Sequence, residues 1–146
     1  MLTQFKLNPQ LVGDTHLLLD TENCLILLHK NATIPWIIIV PKTDKTEVFN
    51  LPDEMQLSIN EMTKRIAQFF KQHFATEKMN IAAIGNIVSQ LHIHVIGRKS
   101  DDACWPNVVW GNDYAFVEYS SEQIVEIKLF LAETLGSLRT HKLIES

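Results

Sequence analysis

Ser89-Gln90-Leu91-His92-Ile93-His94-Val95-Ile96-Gly97-Arg98 reads as one strand, part of a run predicted from Val88 to Arg98. Side chains of a strand alternate between its faces, so the run sorts into two sets. Leu91, Ile93 and Val95 form an apolar face that must pack on a core. Gln90, His92 and His94 are expected on the opposite face, side by side. Imidazole divides between neutral and charged forms near pH 7, its ordinary pKa being about 6.5. Two imidazoles and an amide in a row therefore make a chemical surface, able to bind a metal, a phosphate or a proton in flight.

Outward from this stretch, Asn80 to Ile84 reads as a strand and Gly85-Asn86 as the turn that leads into the histidines. Upstream, His16 to Leu19 is a short apolar run, and Asn8-Pro9 and Gly13-Asp14 are turn signals. Cys24 to Leu28 and Ile37 to Val40 are strand-length apolar runs, the second β-branched and stopped by Pro41, which cannot donate to a ladder. Between them and the histidines lies a long helix, with Asn50 as its expected cap, Pro52 in its first turn, and Asp53 and Glu54 at the positive end of its dipole. Met55, Ile59, Met62, Ile66, Phe69 and Phe70 recur at helical steps as its buried stripe, which carries it to about Phe74. A second helix is expected over 121–139, with Ser120 and Gln123 in capping-box spacing and Ile124, Ile127, Leu131 and Leu135 facing inward. Strands joined by short connections, with one long helix crossing over, predict an α+β domain with an antiparallel sheet of about five strands and two main helices.

At 146 residues and 46% hydrophobic, the chain reads as a single domain, 1–146, with a substantial core. No run approaches the roughly 20 apolar residues of a membrane span, and Met1 to Lys6 lacks a leader pattern. Two cysteines without C-x-x-C spacing read as incidental reduced thiols, and the expected location is cytoplasmic. A net charge of −4 excludes a nucleic-acid coat, which needs a basic stripe. A small anion needs only local positive potential, and Lys30, Lys42, Arg98 and Lys99 are candidates to supply it.

The segment Gly85-Asn86-Ile87-Val88-Ser89-Gln90-Leu91-His92-Ile93-His94-Val95-Ile96 resembles the signature of the histidine triad (HIT) superfamily of nucleotide hydrolases and transferases. Val40-Pro41-Lys42, the Pro-Asp-Glu helix start and Trp105-Pro106 extend the likeness over residues 15–111. The departure is Gln90, which stands where that pattern has its first histidine. By position, His92 corresponds to the nucleophilic histidine and His94 to the third. The resemblance implies a HIT-like fold, a small nucleotide substrate, a homodimer, and no cofactor, metal, nucleic acid or membrane partner. It also implies that a polar residue at the end of the first long strand binds ribose. Asn31 is the candidate, with Lys30 or His29 as alternatives for that place.

The chemistry is arguable from the residues. A neutral imidazole attacks a phosphate anion without charge repulsion, and the resulting phospho-imidazolium is a good leaving group, so one hard displacement becomes two easier ones. His92 is the expected nucleophile, with a backbone carbonyl expected on its other nitrogen to fix the tautomer. His94 is expected to touch a phosphate oxygen or assist the leaving group. Gln90 can donate through its amide but cannot carry a proton. Asn86, Ser89 and the backbone donors of the 85–89 turn are expected to cradle developing charge, with Arg98 as a further phosphate contact.

The leading expectation is an enzyme that cleaves a dinucleoside polyphosphate or nucleoside phosphoramidate through a nucleotidyl-His92 intermediate. A nucleotide-binding module with catalysis weakened at Gln90 is the alternative. A metal protein built on His92 and His94 is the third reading, with Cys24 and Asp101 the only further ligands on offer. Trp36 reads as core, Trp105 and Trp110 as packing or dimer residues, Asn80 as either a strand start or a ligand. His16, His73 and His141 read as bystanders.

Overall fold

Five antiparallel strands form one sheet in the order β1-β2-β3-β5-β4, in a computed structural model that describes residues 4–135. They are β1 Thr15–Asp20, β2 Cys24–His29, β3 Trp36–Pro41, β4 Lys78–Ala82 and β5 Ile93–Arg98. Helix α1 (Pro9–Asp14) precedes β1, α2 (Asp53–Phe74) crosses from β3 to β4, and α3 (Ser121–Thr134) follows the last strand. This is the expected HIT-like α+β architecture, with one short helix added. Asn8 creates that helix by accepting the Gln10 backbone N–H at 2.8 Å, ahead of Pro9 in the first turn.

Register divides the sheet into two cores, because directly paired residues share a face. Ile26 opposite Ile39, Leu28 opposite Ile37, and Val95 opposite Ile37 put these five residues toward the helices. There they meet Ile59, Met62, Ile66 and Phe70 of α2 and Ile127 and Leu131 of α3. The alternate set, including Leu27, Trp36, Ile38 and Ile96, packs with Leu11, Ile34, Cys104 and Val109, which are carried by α1 and by loops. Leu91, Ile93 and Val95 do line the helix-side core, as their alternation predicts. No helix among the described residues is long and apolar enough to cross a membrane.

Several boundaries depart from expectation. The strand predicted from Val88 begins only at Ile93, because its last rung with β3 is Ile39 opposite Ile93 and its last with β4 is Ala82 opposite His94. Residues 88–92 thus make no ladder rung with either neighbour. For the same reason β4 sits at Lys78–Ala82, not at 80–84. Asn50 does not cap α2. It ends a single 3-10 turn, Val48–Asn50, and Pro52 occupies the cap position, where its carbonyl accepts from Met55 and Gln56. The Ser120–Gln123 capping box of α3 is formed from both sides. The helix expected at 136–139, and His141, lie outside the described residues.

Two small residues set how α2 meets the sheet. A Cβ on Gly97 would lie 2.5 Å from Thr76 Cγ2 and 3.2 Å from Phe70 Cδ2, so only glycine lets the end of α2 approach β5 this closely. Ala75 ends α2 in the left-handed region at φ 53, a conformation that costs an L-residue about 1 kcal/mol. Ala75→Gly is expected to stabilise the fold by ~0.5–1 kcal/mol, or about 2–4 °C in Tm, measured by thermal unfolding.

Candidate active site

His92 and His94 lie on the loop-side face, at the start of β5, with ring centroids 4.8 Å apart and planes at 77°. Each is only 5% exposed. His92 donates its Nδ1–H to the Gln90 carbonyl at 2.7 Å. A carbonyl only accepts, so in the neutral ring this bond places the proton on Nδ1 and leaves the lone pair on Nε2. The backbone-carbonyl partner expected for His92 is therefore present, supplied by the main chain of residue 90. Residues 90–92 are outside the ladder, and that is what frees the carbonyl to turn toward the ring.

His94 sits in an aromatic nest. The Trp36 indole N–H donates to its Nδ1 at 3.0 Å. The Trp110 ring meets it edge-on at 5.1 Å and meets Trp36 at 5.8 Å. His29 stacks on Trp36, with centroids 4.2 Å apart and planes within 8°. The Asn31 backbone N–H donates to His29 Nδ1 at 3.2 Å, fixing that ring as well. Burial, then the neighbouring His92 and His29, push His94 down to about 3. Burial also lowers His29, against an opposing pull from Asp14.

Trp36 and Trp110 were legible in sequence only as packing residues. The missed signal is the hairpin itself. His29 closes β2 and Trp36 opens β3, so the ladder that pairs Leu28 with Ile37 sets these two rings side by side on the next rung.

Gln90 does not line up beside the imidazoles. Its amide donates to the Lys6 carbonyl at 2.9 Å, and its oxygen accepts the Asn8 backbone N–H at 2.8 Å. The side chain thus clamps the backbone on either side of Leu7, which packs into the loop-side core. Asn86 and Ser89 are exposed in the loop before the histidines. Ser89 and Gln90 border a cleft of about 420 Å³ whose other walls include Lys6, Thr43, Lys45 and Thr46.

Two residues expected to touch substrate have their side chains engaged within the fold. Arg98 is not free to bind phosphate, being 1% exposed. It donates through Nε and one terminal nitrogen to Asp102, at 2.7 and 2.9 Å, and through the other to Asn80 at 2.9 Å. A buried guanidinium requires such a partner, since an unpaired buried charge is heavily penalised. Asn80 is thereby assigned to this network. Asn31 is buried, and three of its four side-chain hydrogen-bonding positions are taken. It accepts from Thr33 and Val117 N–H and donates to the Ala115 carbonyl, pinning the 115–118 segment to the end of β2. Lys42, another expected cation, is engaged with Asp20 and the Thr21 carbonyl. Among the described residues no group of three or more His, Cys, Asp or Glu side chains converges as a metal site.

The HIT domain family matches residues 10–101. A histidine triad protein from Marinobacter aquaeolei VT8 is 36% identical, with a TM-score of 0.83 over 93% of this chain and 99% of that one. A histidine triad (HIT) protein from Sinorhizobium meliloti 1021 is 34% identical, with a TM-score of 0.82 over 90% and 97%. The diadenosine triphosphate hydrolase of Plasmodium falciparum shares the fold at 20% identity and a TM-score of 0.58, over 83% of this chain and 76% of its own. No curated protein matches this chain. With 92 residues inside the matched domain and a third of its sequence shared with solved histidine triad proteins over nearly their whole length, the chain belongs to the HIT family.

Proposed function

We propose that this protein is a nucleotide hydrolase or nucleotidyl transferase that works through a covalent nucleotidyl-His92 intermediate. The observation that supports this reading best is the His92 Nδ1–H bond to the Gln90 carbonyl, which keeps the lone pair of the neutral ring on Nε2. In the first step Nε2 attacks the α-phosphorus, a P–N bond forms, and the bond to the leaving phosphate or amine breaks. In the second step water attacks the same phosphorus, the P–N bond breaks, and the nucleoside monophosphate leaves. Water's proton passes to solvent. The leaving phosphate departs as an anion, whereas an amine draws its proton from solvent. Asn86, Ser89 and the backbone N–H groups of residues 85–89 are assigned to the phosphoryl oxygens, and His94 to the transferring group. Positioning and charge stabilisation are what this chemistry chiefly demands.

Intact-protein mass spectrometry after brief, acid-free quenching with adenosine phosphoramidate or diadenosine tetraphosphate tests the reading. A gain of one nucleotidyl group is expected. Neither adduct nor product from either substrate, with nucleotide binding retained, would overturn it in favour of a binding module.

Gln90→His is expected to leave kcat within about threefold, because the orienting group for His92 is the carbonyl and not the side chain. Its effect is expected in stability instead, a loss of ~1–2 kcal/mol as the two bonds to Lys6 and Asn8 disappear. Urea unfolding beside steady-state kinetics separates the two. A tenfold or greater gain in kcat would show that the glutamine had weakened catalysis.

A further inference from the structure

The two imidazoles are held by partners of opposite kind. His92 faces an acceptor, the Gln90 carbonyl, while His94 faces a donor, the Trp36 indole N–H. Indole nitrogen donates only, so His94 Nδ1 must supply the lone pair and its hydrogen must sit on Nε2. The neighbouring rings are therefore opposite tautomers.

We infer that Trp36 is a positioning residue: its indole N–H fixes His94 as the Nε2–H form, so that His94 meets the substrate as a neutral hydrogen-bond donor and transfers no proton. This rests on the assignment of His92 as nucleophile. A protonated His94, or its other tautomer, would set an N–H of its own against the indole N–H, and both are disfavoured by that clash of donors. The indole is itself held, sandwiched face-on by His29 and edge-on by Trp110. His94, buried and beside two other imidazoles, is also pushed far below the usual histidine range, which agrees with a ring that stays neutral.

Two chemical consequences follow for the transfer step. A neutral Nε2–H stabilises charge developing on a phosphoryl oxygen by donating to it, with no bond to hydrogen broken. And a neutral His94 places no cation of its own beside His92 to draw on the lone pair there. A neutral imidazole N–H is too weak an acid to protonate a leaving group, so that proton comes from solvent.

Heteronuclear NMR of nitrogen-labelled protein reads the tautomers directly. In the wild-type protein His94 Nδ1 is expected bare and Nε2 protonated, with a scalar coupling across the bond to the Trp36 indole nitrogen and the reverse tautomer at His92. A protonated Nδ1 on His94 would overturn the inference without any variant being made. Replacing Trp36 by benzothienylalanine keeps the ring's shape and substitutes sulfur for the N–H. His94 is then expected to populate both tautomers and to begin taking a proton at higher pH. With a substrate that labels His92, kcat is expected to fall about tenfold with KM changed less than about threefold. An unchanged His94 tautomer in that variant would overturn the inference, as would mixed tautomers with an unchanged kcat. Failure of His92 to become labelled would sink the proposed function instead, and would leave the tautomer result standing.

Discussion

His92→Asn loses turnover by roughly 10³-fold or more and forms no covalent adduct, while nucleotide affinity stays within about tenfold. Asparagine is the informative replacement because its amide N–H can reach the position of Nδ1–H and still donate to the Gln90 carbonyl. His92→Ala removes the same nucleophile but also leaves that part-buried carbonyl without its partner, a cost of ~1–3 kcal/mol. The two variants should be alike in lost chemistry and unlike in stability. Stopped-flow or steady-state assays, adduct mass and thermal unfolding on the pair give three independent readouts. Turnover that survived in His92→Asn would mean that the nucleophile lies elsewhere.

Asp102→Ala costs about 3–5 kcal/mol in unfolding free energy, the largest single stability effect expected here. Its carboxylate holds Arg98 through two bonds and also accepts the Lys99, Cys104 and Trp105 backbone N–H groups. Removing it strands a guanidinium that is 1% exposed and releases the turn that leads to Trp110, so the wall of the His94 nest should loosen with it. Arg98→Met combined with Asp102→Ala should recover part of the loss, because no buried charge then remains unpaired. Urea titration of the three proteins measures this.

Acid should act in two windows that overlap only between about 3 and 3.9. His94 is held down at about 3, so as pH falls below about 6.5 the unfolded chain binds a proton that the native state refuses, and stability declines across that interval. For Asp102, burial raises the carboxyl, but the Arg98 hydrogen bond and the backbone donors outweigh it and hold it at about 2. Its contribution is complete above an unfolded value near 3.9 and disappears as pH falls through about 2. Only this lower window should vanish in the Asp102→Ala variant.

The parts of the fold that were legible in sequence are those set by local periodicity. Leu91, Ile93 and Val95 against His92 and His94 marked the two faces of β5 and of the residues that lead into it, the Ile59–Phe70 stripe marked α2, and Ser120 with Gln123 marked the start of α3. Chemistry that depends on distant chain segments was not legible. Gln90 meets Lys6 and Asn8 across more than eighty residues, and nothing in its neighbours marks the side chain as a clamp. Arg98 looked like a free cation because its partner lies beyond a turn whose shape Asp102 itself creates. Asn31 stood at the right strand end for a ligand, yet the segment at 115–118 returns to claim its side chain.

One consequence of the Gln90 carbonyl concerns mutational freedom. Every amino acid carries a main-chain carbonyl, so the group that orients the nucleophile cannot be deleted by any substitution at position 90. Constraint on that function falls on the backbone path through residues 90–92, and the side chain there is released to serve another purpose. In this protein it serves as a clamp on the chain's opening segment.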